Sequence, residues 1–133
     1  MNANTTTPFT TEAGTALVPL YVSGVFREAP TSLRAQLIEC LMRPMGALGL
    51  VAVANGVFAA LRQRHGWHHL QVTLDDATRI TGDQILELAA YLQQTAPEVF
   101  GQVGDLVSRQ PALAGSLSAV LLLHVLHRTM RRR

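Results

Sequence analysis

Histidines, a lone cysteine and one acidic cluster are the residues of this chain that could do chemistry. His65, His68 and His69 flank Trp67, and His124 and His127 lie three apart near the C-terminal end. On a helix the second pair places two imidazoles on one face, which is how a zinc or haem site begins. A metal centre needs more ligands than that. No carboxylate stands at a supporting helical spacing, no HExxH or ExxH pattern occurs, and Cys40 is the only thiol. The histidines therefore read as turn and helix-end residues, and neither a metal nor another cofactor is expected.

Asp75 and Asp76, with Asp83 and Glu87, form the acidic concentration. Paired carboxylates serve acid and base chemistry when their surroundings push their pKa values apart. Here they sit beside the expected start of a helix, where negative charge is favourable in its own right. The EF-hand spacing is absent, as are a Gly-rich phosphate loop, a nucleophile elbow and a Ser/His/Asp arrangement, so the reading leans away from an enzyme. With one cysteine no intramolecular disulfide can form, and a reducing cytoplasm is the expected location. The stretch MNANTTTPFTTEAGT carries no positive region followed by a long apolar run, so it does not read as a secretory signal.

All eleven cations are arginines, and four of them fall in the closing RTMRRR. His124, Arg128 and Arg131 follow helical steps beside the apolar Leu123, Leu126 and Met130, and with Arg132 and Arg133 they make a basic surface. Apolar next to basic suits an anionic membrane surface or an acidic partner, although arginines at a helix C-terminus also simply complement the dipole. Nucleic acid is disfavoured: the net charge is only +2 and no aromatic residue interleaves the arginines.

These groups have to be positioned by elements that the apolar pattern defines. With 48% hydrophobic and only 15% charged residues, the chain of 133 residues should form an all-α domain with much buried surface, part of it against another molecule. Residues 1–15, rich in Thr and Asn, read as a disordered or loosely attached arm, and 16–133 as a single helical domain. ALVPLYVSGVF, broken by Pro19 and Gly24, reads as an extended strap. Pro30, Thr31 and Ser32 open a helix to about Arg43, with a hydroxyl as its cap and Glu39 and Arg43 as an i,i+4 pair.

Pro44 to Leu61 contains no charge and is apolar all round, which predicts a central helix over 44–64 buried on every side. Gly49, Ala52, Gly56 and Ala60 would form a stripe of small residues on it, where another helix or another copy packs closely. Gly66 would end this helix with Trp67 beneath the turn. A short strand is the alternative for 70–74, where Leu70, Val72 and Leu74 alternate with polar residues. Thr81 and Gln84 match a capping box and open a helix with Ile85, Leu88, Ala89 and Leu92 inward. A weaker helix follows Pro97, and the last begins near Pro111.

The expected architecture is thus a compact bundle of about five helices around 44–64. Its expected role is a non-catalytic scaffold or adaptor that acts through hydrophobic helix surfaces and associates with itself or another protein. A peripheral or integral membrane protein is the first alternative, and a His-based metal or cofactor protein the second.

Overall fold

The computed structural model describes residues 16–65 and 71–131. Among them the chain forms eight α-helices, two 3₁₀ turns and no strand. The helices are α1 (Val18–Glu28), α2 (Thr31–Met42), α3 (Ala47–Ala52), α4 (Val57–His65), α5 (Leu74–Arg79), α6 (Gly82–Thr95), α7 (Val99–Ser108) and α8 (Leu117–Arg131). The all-α class agrees with the apolar periodicity; the helices are more numerous and shorter than expected. The N-terminal arm, His68, His69 and the last two arginines lie outside the described residues.

The expected strap is a helix. Pro19 occupies the first turn, where its missing N–H would have had no helical partner. Gly24 is tolerated because α8 crosses it: a Cβ there would collide with the Ser118 side chain. Val18, Val22, Val25 and Phe26 then bury one face at helical spacing. Their burial outweighs the roughly 1 kcal/mol that an interior glycine costs. Ser23, fully buried, donates from Oγ to the Gly82 carbonyl at 2.8 Å and so ties α1 to the start of α6.

The helix at the centre of the core is α2. Leu33, Leu37, Ile38, Leu41 and Met42 are all at or near zero exposure, and α5, α6 and α7 pack around it. Pro30 is its N-cap and no side chain caps it, so the expected hydroxyl cap is not made. Arg34 instead looks backward: its guanidinium donates to the carbonyls of Phe26, Arg27 and Ala29 at 2.7–3.0 Å, covering the open end of α1. Glu39 accepts from the Val72 N–H at 2.8 Å and holds the approach to α5 against α2.

The central helix over 44–64 does not form as one element. Pro44 lies in the turn after α2, Gly46 caps α3, and α3 stops after six residues. Val53 is extended, and Ala54, Asn55 and Gly56 all have positive φ, at 50°, 57° and 78°. Asn and Gly are the residues that accept this left-handed region, so Asn55-Gly56 is a stop signal inside an otherwise uninterrupted apolar run. Nor is the run buried on every side: Leu50, Phe58 and Leu61 are inside, whereas Leu48 is 88% and Val51 62% exposed.

The strand alternative for 70–74 is also replaced over 71–74, Leu70 lying outside the described residues. Residues 71–73 have no regular structure and Leu74 opens α5. A capping box decides this: Thr73 Oγ1 accepts from the Asp76 N–H, and the Asp76 carboxylate accepts from the Thr73 N–H, each at 3.1 Å. The Thr81–Gln84 box forms in the same way at α6, with Ile85, Leu88, Ala89 and Leu92 buried as the spacing predicts. Pro111 opens only a 3₁₀ turn, and α8 starts later, where Ser116 Oγ accepts from the Ala119 N–H. One core takes side chains from all eight helices.

Candidate functional site

Lying against α8, α7 leaves a groove of about 750 Å³ between them. Two glycines of α7, Gly101 and Gly104, line it on one side. A Cβ at Gly104 would stand 3.1 Å from Leu126 Cδ1, so glycine there lets the helices approach closely. Val120, Leu123 and Leu126 make the apolar wall on α8. Asp105, Ser108, His124 and His127 add polar groups.

Sequence spacing alone did not bring Asp105 and Ser108 to the two histidines; the α7–α8 pairing does. Serine, histidine and aspartate in one groove raise the question of nucleophilic chemistry, and the hydrogen bonds answer it. Ser108 Oγ donates to the Asp105 backbone carbonyl at 2.9 Å, so its proton is held by its own helix rather than by an imidazole base. His124 and His127 are exposed. Among the described residues no group of three or more His, Cys, Asp or Glu side chains is arranged to hold a metal ion. The arrangement can bind an apolar group beside polar ones.

The acidic cluster is dispersed into structural pairs. Asp75 meets Arg79 at 3.1 Å, Asp76 meets Arg64 at 2.8 Å and Asp83 meets Arg27 at 2.7 Å, while Glu87 is exposed on α6. Asp75, Asp76 and Asp83 sit in the first turns of α5 and α6, where the helix dipole favours them. The four small residues do not share one helix face. Gly49 lies on α3 close to Tyr91 and Met45, Ala52 is exposed at the end of α3, Gly56 is in the left-handed turn and Ala60 is exposed on α4. Of the basic residues, Arg128 is exposed; Arg131 is the last residue of α8, and its side chain, like Arg132 and Arg133, lies outside the described residues. His65 ends α4, with its side chain likewise outside them.

A smaller cleft of about 370 Å³ separates α2 from α7, lined by Cys40 among the polar Glu39, Arg43, Asp105 and Arg109. Cys40 is buried, and loss of hydration raises its thiol pKa, with Arg43 nearby partly opposing the rise. Alkylation by iodoacetamide in native buffer is expected to be at least about tenfold slower than in denaturant, because the thiolate is the nucleophile. Folding stability should carry no Cys40 pH dependence below the ordinary thiol pKa. Above it the unfolded thiol ionises before the folded one, so stability falls as pH rises. A Cys40→Ala variant with the same alkaline slope as the parent would show that another group is responsible.

No protein-family model, curated protein or solved structure matches the chain.

Proposed function

We propose that the chain is a non-catalytic helical scaffold, working in the cytoplasm and associating with copies of itself through apolar helix surface. The observation that supports this reading is the exposure of Leu48 and Val51 on α3, at 88% and 62%. Ala47 and Ala52 beside them are exposed too, and no charged residue stands between Pro44 and Leu61 to keep this ridge in water. An uncharged apolar ridge projecting from a folded core is the kind of surface that a second subunit covers.

Size exclusion with light scattering in detergent-free buffer is the test. The parent chain is expected at a multiple of its 14.4 kDa mass, and Leu48→Glu with Val51→Glu at the monomer mass, with the helical circular dichroism unchanged. A parent that runs as a monomer at every concentration would overturn the reading.

A second reading, peripheral attachment to an anionic membrane, draws on the four arginines among the last six residues. Among the described residues no helix is long and apolar enough to cross a membrane. Co-sedimentation with phosphatidylserine vesicles separates the two: attachment should be lost with Arg131 to Arg133 and with added salt, whereas an oligomer held by apolar packing is insensitive to both.

A further inference from the structure

The apolar ridge of α3 is too small to hold two chains together by itself. One aliphatic side chain buries on the order of 100 Å², so Leu48 and Val51, even with Ala47 and Ala52, fall well short of the roughly 800 Å² per partner of a stable interface. The cover has to extend past α3. Toward α6, α3 meets Tyr91, whose helical neighbours Glu87 and Gln94 are exposed and polar. Toward α4, on which α3 packs, the apolar surface continues.

Between α4 and α5 lies a hollow of about 310 Å³. Val57, Ala60, Leu61 and Ile80 give it apolar walls, and Ala60 is exposed there. Its volume is at the lower limit of the roughly 300–1,000 Å³ of small-molecule sites, a size that side chains fill. The charged groups around it are already neutralised: Arg64 holds Asp76 at 2.8 Å and Arg79 holds Asp75 at 3.1 Å. An occupant needs no charge of its own. The α3 ridge has none, and Leu48, at 88%, is the most exposed large apolar side chain among the described residues.

We infer that the α3 ridge of one copy seats in the α4–α5 hollow of a second copy, while the second copy's ridge seats in the hollow of the first. This rests on the self-association proposed above and names the surface that receives the ridge. Protrusion and hollow lie on successive α-helices joined by the turn at Asn55-Gly56, so one two-fold rotation pairs both at once and the assembly closes as a dimer. An unrelated partner with an apolar knob would fill the hollow and leave Leu48 in water; a second copy covers both with one surface. The α7–α8 groove is a poorer receiver, because Asp105, His124 and His127 line it and an uncharged ridge would strip them of water without replacing it.

The test is site-directed cross-linking in a Cys40→Ala background, with Leu48→Cys and Ala60→Cys made in separate chains and then mixed. Both positions are exposed, so neither change touches the core. With a short bis-maleimide, a product joining position 48 of one chain to position 60 of the other should form at least about tenfold faster than either chain joins to its own kind. Ala60→Trp, which fills the hollow, should weaken dimerisation about tenfold or more in size exclusion with light scattering, with the helical circular dichroism unchanged. Gln94→Trp, on α6, should leave it unaltered. The parent mass should rise with concentration to twice that of the chain and stop there. Predominant joining of position 48 to position 48 would show ridge packed on ridge, which overturns this inference and leaves self-association standing. Indifference to Ala60→Trp, or a mass that climbs past the dimer, would do the same. A parent that is monomeric at every concentration would overturn both this inference and the reading on which it rests.

Discussion

In the separate subunit Leu37→Ala is expected to lower folding stability by about 3–5 kcal/mol, while Leu48→Ala changes it by less than about 0.5 kcal/mol. Leu37 has no exposed surface and lies on the helix around which α5, α6 and α7 pack, so removing its branched end opens a cavity that rigid neighbours cannot close. Leu48 is of the same residue type, and sits in the uncharged run from Pro44 to Leu61, but is 88% exposed and leaves no cavity when shortened. Urea unfolding with an unchanged m-value is the measurement. Similar losses for the two leucines in the separate subunit would return the core to residues 44–61; where the chain self-associates, the proposed cover on α3 predicts a loss at Leu48 that grows with protein concentration.

Asp76→Ala should cost about 2–3 kcal/mol, a large effect for a carboxylate on a helix of six residues. The side chain is 5% exposed and carries two loads at once. One oxygen accepts from Arg64 at 2.8 Å, and the other completes the capping box with Thr73 at 3.1 Å. Loss of the reciprocal hydrogen bond from the Thr73 N–H, with Thr73 still the N-cap, costs about 1 kcal/mol. The rest comes from the buried acceptor lost to Arg64, discounted because that arginine is half exposed and regains water. Asp76→Asn keeps an acceptor for Thr73 and should lose about half as much. Thermal unfolding followed by circular dichroism reads both; equal stability of parent and Asp76→Ala would mean that α5 contributes nothing to the cooperative core.

What the sequence made legible was the elements closed by local chemistry. Thr81 with Gln84 located α6 because a capping box is written within four residues and its satisfaction needs nothing distant. The same logic applies to Thr73 and Asp76, but there the alternation of Leu70, Val72 and Leu74 drew the reading toward a strand. Absence of charge over 44–61 outweighed Asn55-Gly56, although left-handed backbone is a strong local determinant and apolar loading is not. Pro19 and Gly24 were legible as breakers only until α8 was in place, since Ser118 from far along the chain occupies the space that the glycine vacates. The α7–α8 groove was not legible for a related reason. Gly101 and Gly104 read as weakness in a lone helix, and only the neighbouring α8 turns them into a wall with room beside it.

The bonds that seat α1 reach far along the polypeptide. Ser23 waits for Gly82, 59 positions later, and Glu28 accepts from Ser118 Oγ at 3.1 Å across 90. On the ribosome, at about 5–20 residues per second, the second partner emerges roughly 5–20 s after the first. During that interval Val18, Val22, Val25 and Phe26 have neither α6 nor α8 to cover them. Vectorial synthesis therefore delivers the apolar face of α1 first and its shelter last, and the nascent chain passes through a window in which it is a substrate for holdase chaperones. Moving α1 to follow α8 by circular permutation would shorten that window without changing a contact of the finished fold.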